Sequence, residues 1–318
     1  MTATLALAGD TMLGRGVGDL LARRRGVRLF SPDVAELTRA ADIFICNLEC
    51  CISTRGTRFE DPDKPFFFRA PPVAAELLAD VGVHCVTLAN NHALDFGAQA
   101  LLDTLSHLEA AGIAWVGAGR DEAEARAPCI LPASGMRLRV VAATDHPAAY
   151  GAAPDRPGVA HADLRRGSPE WLRAAARPAP DADAVLVTPH WGPNMATAPV
   201  PHVRRAAAAL VAEGATLVAG HSAHLFQGVA GRVLYDLGDF IDDYRVDPRL
   251  RNDLGLLFLV TLAPDGPERL EAVPLRLEYA YTRVADGDDA AWIRDRFARA
   301  CADLGTSVRE EDGRFVVV

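Results

Sequence analysis

Residues 83–97 read Val-His-Cys-Val-Thr-Leu-Ala-Asn-Asn-His-Ala-Leu-Asp-Phe-Gly, and this stretch decides the fold class. An apolar, β-rich run, Val83–Ala89, stops at the polar residues 90–92, and a helical pattern, Ala98–Ala111, follows. A strand, a polar turn and a helix in this order are typical of a parallel α/β unit. In such units ligands bind at the carboxyl ends of the strands. The stretch therefore predicts an α/β sheet with functional side chains at a strand end.

The alternation of strand and helix extends along most of the chain on both sides of this stretch. Further β-rich runs predict strands at Leu5–Ala8, Asp42–Leu48, Ile113–Val116, Leu138–Ala143, Ala184–Thr188 and Thr216–Ala219. Amphipathic patterns predict helices at Pro72–Val81, Pro169–Arg177 and Val203–Glu213. Such alternation favours α/β layers with much parallel pairing.

The pattern changes after residue 224, where strands follow one another without a helix between them. The runs are Leu225–Ala230 and Val233–Leu237 around a turn at Gly231, then Leu254–Leu262 and Leu270–Tyr281. This succession predicts antiparallel pairing. We expect two mixed sheets, each faced by helices, in a catalytic domain over residues 1–285. Residues 286–318, with a helix at Ala290–Leu304, should pack on the same domain.

Other predicted strands also end at polar side chains with lone pairs to offer. These are Asp10, Glu49, His190 and His221, the last followed by His224. If the strand ends are adjacent, they bring carboxylate, amide and imidazole groups into one cleft. Such donors suit Mn²⁺, Fe, Zn²⁺ or, with fewer nitrogens engaged, Mg²⁺ or Ca²⁺. The sequence thus predicts a site for one or two divalent metal ions.

Each of these residues also has an ordinary explanation when it is taken alone. Asp10 could cap the next helix, Asn90 and Asn91 could form a turn, and His190 or His221 could be a core histidine. Glu49 is harder to explain this way, because a carboxylate at the end of an apolar strand needs a partner. The repeated placement at strand ends favours the metal hypothesis.

Composition and charge exclude several classes of function. The chain of 318 residues has a net charge of −9, which argues against a surface for nucleic acid or anionic membrane. No apolar run is long enough to span a membrane, and the run Ala3–Ala8 is too short for a signal peptide. The cysteines form no C-x-x-C pair, and we expect reduced thiols in a cytoplasmic protein.

The ordered set of motifs resembles the CapA family, the poly-γ-glutamate capsule biosynthesis proteins of the calcineurin-like metallophosphoesterase superfamily. The resemblance covers roughly residues 4 to 262. It is carried by Gly9-Asp10-Thr11-Met12-Leu13-Gly14, Asn47-Leu48-Glu49, the segment 88–97 quoted above, His190-Trp191-Gly192, Gly220-His221-Ser222-Ala223-His224 and Leu237-Gly238-Asp239-Phe240.

The resemblance implies a four-layer α/β/β/α sandwich of the metallophosphatase type and a role for each site residue. Asp10 and His224 would hold one metal ion, and Glu49 would bridge to a second. Asn91, His190 and His221 would complete the second position. His92 would donate or accept a proton, and Asp95 would orient it.

The sequence departs from the family pattern at four positions near the expected site. Met12 stands where classical metallophosphoesterases have a histidine, and Ser222 replaces a histidine that the family commonly has. Asn194 stands in place of Glu, and Asp239 in place of Asn. The first metal position therefore loses nitrogen donors while its surroundings gain a carboxylate. A single ion, or one tight and one weak ion, is as consistent with this pattern as a two-metal centre.

Three functions are consistent with these residues. The first is a metal-dependent hydrolase of phosphoesters or related anionic substrates, with a metal-activated water and His92 as the acid. The second keeps the metal but changes the reaction, to epimerisation of a peptide or to cleavage of a peptide or γ-glutamyl bond. The third is a non-catalytic accessory protein of capsule polymer synthesis. The substrate is expected to be a small molecule or a peptide.

Overall fold

The computed structural model describes residues 1–23, 26–62 and 64–318. In chain order the strands of the first half are β1 (Ala3–Thr11), β2 (Ile43–Leu48), β3 (Cys51–Ile52), β4 (Arg69–Ala70), β5 (Cys85–Thr87), β6 (Ala114–Val116), β7 (Ala118–Gly119), β8 (Cys129–Ala133), β9 (Met136–Thr144) and β10 (Gly158–Val159). Those of the second half are β11 (Ala184–His190), β12 (Leu217–Ala219), β13 (Val229–Ala230), β14 (Val233–Leu234), β15 (Asp239–Ile241), β16 (Leu254–Ala263), β17 (Gly266–Glu278), β18 (Tyr281–Val284), β19 (Val308–Glu311) and β20 (Arg314–Val317).

Helices connect most of the parallel strands. They are α1 (Arg15–Arg23), α2 (Pro32–Ala40), α3 (Val73–Asp80), α4 (Gly97–Ala110), α5 (Glu122–Arg126), α6 (Glu170–Ala176), α7 (Pro201–Glu213) and α8 (Gly287–Ala302), with a 3₁₀ turn at Ala148–Tyr150. Local sequence explains several boundaries. Ser31 caps α2 by accepting from the backbone N–H of Val34, and Gly214 ends α7 in the left-handed conformation.

The larger sheet contains the strands of the N-terminal third and the late antiparallel strands. Its order is β19-β20-β17-β16-β1-β2-β5-β6, with β15 beside the end of β1 and β18 beside β17. Strands β1, β2, β5 and β6 are parallel, so their carboxyl ends share one edge. The smaller sheet has the order β13-β14-β12-β11-β9-β8, and its strands β9, β11, β12 and β14 are parallel.

Three apolar clusters separate four layers. One lies between the larger sheet and helices α1 to α4, and includes Phe44 and Leu101. A second joins the two sheets face to face, with Leu5 opposite Leu138 and Leu186 in the same cluster. The third lies between the smaller sheet and helices α6 and α7. The predicted four-layer α/β/β/α sandwich is confirmed.

Three predicted strands of the antiparallel region differ from the structure for identifiable reasons. The hairpin around Gly231 is short, since β13 ends at Ala230 and β14 spans only Val233–Leu234. Asp236 then turns the chain, because its carboxylate accepts from the backbone N–H groups of Ala223 and Gly238. The run predicted to reach Tyr281 breaks at Ala280, whose φ of 55° reverses the chain so that β18 pairs back on β17.

The C-terminal segment lies against both the core and the larger sheet. Helix α8 places Ile293, Phe297 and Cys301 in the cluster between the sheets, and β20 pairs with β17. The domain boundary at residue 285 stays a prediction. The cysteines are free thiols. In the described residues, no helix combines the length and apolarity needed to cross a membrane.

Candidate metal centre

The carboxyl end of β1 places Asp10 at the centre of the site. β1 pairs with β2 on one side and, at Asp10 opposite Asp239, with β15 on the other. The strands approach so closely at Gly9 that a Cβ atom there would lie 1.8 Å from the carbonyl oxygen of Gly238. Glycine before Asp10 is therefore a steric requirement of this crossing.

Buried amides fix the carboxylate of Asp10. Asn47 donates from Nδ2 to Asp10 Oδ1 at 2.7 Å. The Asn47 Oδ1 atom accepts from Thr87 at 2.8 Å and from Asn90 at 3.0 Å. Asn90 in turn accepts from the backbone N–H of His92. The Asn-Asn-His segment is thus linked to Asp10 by side-chain amides, which gives Asn90 a positioning role.

The smaller sheet contributes its histidines to the same place. His190 Nε2 lies 3.4 Å from Glu49 Oε1, and His221 Nδ1 lies 3.5 Å from Asp10 Oδ1. His190 ends β11, His221 lies two residues beyond the neighbouring parallel strand β12, and the two pair through an isolated β-bridge. The strand ends of both sheets therefore meet in one cleft.

His224 and Asp239 form the tightest part of the cluster. His224 Nδ1 lies 2.8 Å from Asp239 Oδ1, 3.3 Å from Asp10 Oδ2 and 3.8 Å from Glu49 Oε2. One ligand atom from each of these four residues lies within 4.8 Å of all the others. Asp239 was not predicted as a ligand, although its motif pointed to a carboxylate near the site.

Buried polar atoms without hydrogen-bond partners indicate which kind of ligand the site suits. Within the described part of the chain, several buried side-chain atoms have no hydrogen-bond partner: Asp10 Oδ2, Glu49 Oε2, Asn91 Oδ1, His190 Nδ1, His221 Nδ1 and Asp239 Oδ2. Each can offer a lone pair, and burying such atoms unsatisfied is costly. Oxygen and imidazole donors that share one cleft fit a divalent cation. The predicted ligands therefore suit the ion that the sequence implied.

The pKa values of His190, His221 and His224 are consistent with a site for a cation. Burial lowers the pKa of His190 to about 3 and that of His221 to about 4, so both imidazoles are neutral at pH 7. Burial also opposes a charge on His224, but Asp239, Glu49 and Asp10 outweigh it and raise its pKa well above the usual value. A cation among these carboxylates would supply the positive charge that the His224 proton supplies without it.

His92 and Asp95 form a second element of the site. Asp95 is fully buried and accepts from the Phe68 backbone N–H at 2.6 Å and from the Tyr150 hydroxyl at 3.0 Å. His92 Nδ1 lies 2.6 Å from Asp95 Oδ2, and the His92 ring stacks on Phe68 at 4.0 Å. Asp95 thus fixes the ring, while the part of this pair in a reaction stays a prediction.

Lys64 connects this pair to the backbone of Asn91. Its ammonium group lies 3.1 Å from Asp95 Oδ1 and donates at 2.6 Å to the backbone carbonyl of Asn91. The side-chain oxygen of Asn91 is left without a partner among the described residues. Lys64 and Tyr150 were not predicted, because neither stands at the end of a predicted strand.

Asp145 and its histidine contacts, which lie beside His190, were also not predicted from the sequence. Asp145 follows β9, and its Oδ2 atom accepts from the Gly192 backbone N–H at 3.1 Å and lies 3.2 Å from His202 Nε2. It also contacts His146, whose ring lies 5.2 Å from that of His190. The signal was present, since His146 follows a strand, but the chain showed no second residue to pair with it.

The family departures are explained by local contacts. Met12 is buried, and its sulfur accepts from the backbone N–H of Gly14 at 3.1 Å. The Ser222 hydroxyl donates to the carbonyl of Gly192 at 3.0 Å, and Asn194 is exposed. Only Asp239 joins the cluster, so the first position has three carboxylates and one imidazole.

The fold and the cluster define a four-layer α/β/β/α protein with a site suited to divalent metal. The chain belongs to the family described as Bacterial capsule synthesis protein PGA_cap, whose model matches residues 4–244.

Relatives from several bacteria align over most of the chain. A Mycobacterium tuberculosis protein named "Probable polyglutamine synthesis accessory protein" is 31% identical over 96% of this chain and 93% of its own length. Capsule biosynthesis protein CapA of Bacillus anthracis is 27% identical over 86% of this chain and 67% of its own. The PGA biosynthesis protein CapA of Bacillus subtilis is 27% identical, over 86% and 72%.

Proposed function

We propose that this protein is a metal-dependent hydrolase acting on a phosphoester or a related anionic substrate. One observation carries the proposal: buried, unpartnered lone-pair donors from both sheets converge beside the buried His92–Asp95 pair. A structural histidine core would satisfy these atoms internally. Convergent donors next to a fixed imidazole are the arrangement that metal-assisted hydrolysis needs.

The ligand set divides between two positions. Asp10, Glu49, His224 and Asp239 would hold one cation, and Asn91, His190 and His221 would share a second with Glu49. A divalent cation held there lowers the pKa of a bound water and neutralises negative charge on the substrate. The three carboxylates of the first position favour a hard cation, and the two neutral imidazoles of the second favour Zn²⁺, Mn²⁺ or Fe.

His92 moves the proton in this proposal. Its Nδ1 is held by Asp95, which leaves Nε2 to give a proton to the departing oxygen. The hydrogen bonds of Asp95 to Phe68 and Tyr150 prevent the carboxylate from turning away. The Lys64 ammonium balances its charge. His92 can therefore reprotonate without losing its orientation.

A second candidate is cleavage of a peptide or γ-glutamyl bond at the same site. One relative is named for polyglutamine synthesis and another for capsule biosynthesis, and the first name indicates a polymer of amino acids. A γ-glutamyl chain carries a carboxylate on every residue, so it too is anionic. In this reaction His92 would protonate the leaving nitrogen instead of an oxygen.

The test combines metal content with turnover. Protein stripped with a chelator is reconstituted with Mn²⁺, Zn²⁺ or Ca²⁺ and assayed on bis-p-nitrophenyl phosphate, then on γ-glutamyl peptides. We expect metal uptake and hydrolysis, both reduced by Glu49→Gln. The matched control is Glu122→Gln, which removes a surface carboxylate on α5. No uptake would contradict the metal centre, and full occupancy without turnover would favour an accessory protein. Inversion at Cα without cleavage would identify an epimerase.

A further inference from the structure

Arg15 stands at the edge of the site on a platform of aromatic rings. It follows the motif of β1 and opens α1. Its guanidinium carbon lies 5.6 Å from the ring centre of Phe66, 5.9 Å from that of Phe68 and 5.8 Å from that of Tyr244. Cation–π contacts with three rings hold a guanidinium group in place.

The same rings touch the histidines of the site. Phe68 stacks on His92 at 4.0 Å, and Tyr244 packs edge-on against His224 at 5.5 Å. Since Arg15 lies 5.9 Å from the Phe68 ring, its guanidinium carbon is less than about 10 Å from the His92 ring centre. A single small substrate could therefore contact Arg15 and His92 at the same time.

The binding capacity of Arg15 is largely unused. Its Nε lies 3.4 Å from Asp243 Oδ1, and the side chain is 38% exposed. Within the described residues, its two terminal nitrogens make no hydrogen bond. Asp243 is held in turn by the backbone N–H of Gly16 at 2.8 Å. One edge of the guanidinium group is therefore anchored, and the other faces outward.

Two further observations point to a ligand and not to packing. Arg15 has a φ of 49°, a left-handed conformation that residues other than glycine rarely adopt and that clusters at functional sites. Lys64, the other cation beside His92, is already committed to Asp95 and the Asn91 carbonyl. Arg15 thus offers a fork of donors beside a cleft whose other charged groups are mostly carboxylates.

We propose that Arg15 binds a second anionic group of the substrate, a carboxylate or a phosphate, while the reacting group lies at the metal centre. This inference rests on the proposed function for the reacting group. The planar fork of a guanidinium group matches either oxyanion with two parallel hydrogen bonds. Arg15 is then the specificity-determining residue, and the substrate carries two negative groups.

Binding of non-reacting probes tests this without turnover. Titration calorimetry on protein reconstituted with Mn²⁺ compares ethylphosphonate, which has one anionic group, with phosphonopropionate and propane bisphosphonate, which have two. We expect the two-group probes to bind roughly tenfold to hundredfold tighter. Preference for phosphonopropionate identifies a carboxylate subsite, and preference for the bisphosphonate identifies a phosphate subsite.

Variants assign the preference to Arg15. Arg15→Gln should lower the affinity for the two-group probes to that of ethylphosphonate and leave ethylphosphonate binding within about twofold. Arg15→Lys should retain part of the preference for two-group probes, because lysine keeps the positive charge but lacks the planar pair of donors. Arg126→Gln is the matched control: Arg126 is 35% exposed, pairs with Glu122 and stands 4.8 Å over Trp171. It should retain the full preference.

The outcomes separate this proposal from the proposed hydrolysis. Equal affinity of the parent protein for one-group and two-group probes overturns the subsite, as does a preference that survives Arg15→Gln. If no phosphonate binds, a phosphoester substrate is contradicted, and glutarate is compared with butyrate instead. Tighter binding of glutarate that depends on Arg15 then supports the subsite, and equal binding rejects it.

Discussion

Asn91 and His92 are adjacent in the chain, yet the structure gives them different surroundings. The Asn91 side-chain oxygen is buried without a partner among the described residues, whereas His92 is held through Nδ1 by Asp95. A ligand needs a free lone pair, and a proton donor needs a fixed ring with one free nitrogen. The first residue therefore suits metal binding and the second proton transfer.

Substitution should separate a proton donor from a ligand. We expect His92→Asn to lower turnover by roughly 10²–10⁴ while metal content and melting temperature stay nearly unchanged, because asparagine cannot exchange a proton near neutral pH. His190→Ala should lose metal and stability together. Metal analysis, thermal unfolding and rates are measured side by side. Loss of metal in His92→Asn, or an undiminished rate, would show that its assigned role is wrong.

The buried, neutral His190 should make the metal-free protein sensitive to acid. Burial lowers its pKa from 6.5 to about 3, so the unfolded chain binds more protons between these values. The stability that comes from keeping His190 neutral is complete above pH 6.5 and is lost as the pH falls towards 3. The slope is at most about 1.4 kcal/mol per pH unit.

Urea unfolding of chelated protein between pH 7 and pH 5 measures this slope. We expect His190→Gln to flatten the decline, since glutamine does not titrate. His107→Gln on the surface of α4 controls for the loss of an imidazole and should leave the slope unchanged. An identical slope in parent and His190→Gln would refute the explanation.

At the scale of the elements, the crossing of β1 and β15 determines where Asp10 and Asp239 lie. The backbone N–H of Asp10 donates to the carbonyl of Gly238 at 2.8 Å, directly beside Gly9. Because a Cβ at Gly9 would overlap that carbonyl, the two strands would have to separate. The positions of the Asp10 and Asp239 carboxylates therefore depend on this one contact between the two backbones.

Gly9→Ala should therefore damage stability and metal binding at once. Forcing a methyl group into the crossing is expected to cost about 1–3 kcal/mol of the free energy of unfolding. Metal affinity should fall with it, because Asp10 and Asp239 move apart. Gly313→Ala is the control: its φ is 73°, but no atom lies near its added Cβ, so it strains only a turn. Unchanged metal affinity in Gly9→Ala would show that the positions of Asp10 and Asp239 do not depend on the close approach of the strands at Gly9.

At the scale of the whole molecule, the candidate site lies where two sheets meet that pack face to face through apolar side chains. Asp10, Glu49 and Asn91 come from the larger sheet, and His190 and His221 from the smaller. A cation bound to both groups links the sheets directly. The effect of metal should therefore extend beyond the cleft.

Hydrogen exchange with and without metal tests this link. A hundredfold excess of metal over its dissociation constant should stabilise the protein by about 2.7 kcal/mol. Protection should rise in β1 and β2 and equally in β11 and β12. The remote pair β19 and β20 serves as the reference for global stabilisation. A rise confined to one sheet would mean that only its residues bind the ion.

Much of the fold and of the candidate site could be predicted from the sequence, because the signals are local. Strands such as β2 and β11 are apolar runs that stop at polar residues, and strand ends of parallel units meet at one edge. Asp10, Glu49, Asn91, His190, His221 and His224 were placed by this reasoning, and the structure brings them to one cleft. Their roles as ligands stay a prediction.

The tertiary structure alone decided which other side chains reach the cleft. Asp239 joins the cluster because β15 crosses the end of β1, and Tyr150 reaches Asp95 from a 3₁₀ turn far along the chain. Arg15 gains its place from rings that lie far from it in the chain. Periodicity records which face of an element is buried, but a contact between distant segments depends on packing that no local pattern encodes.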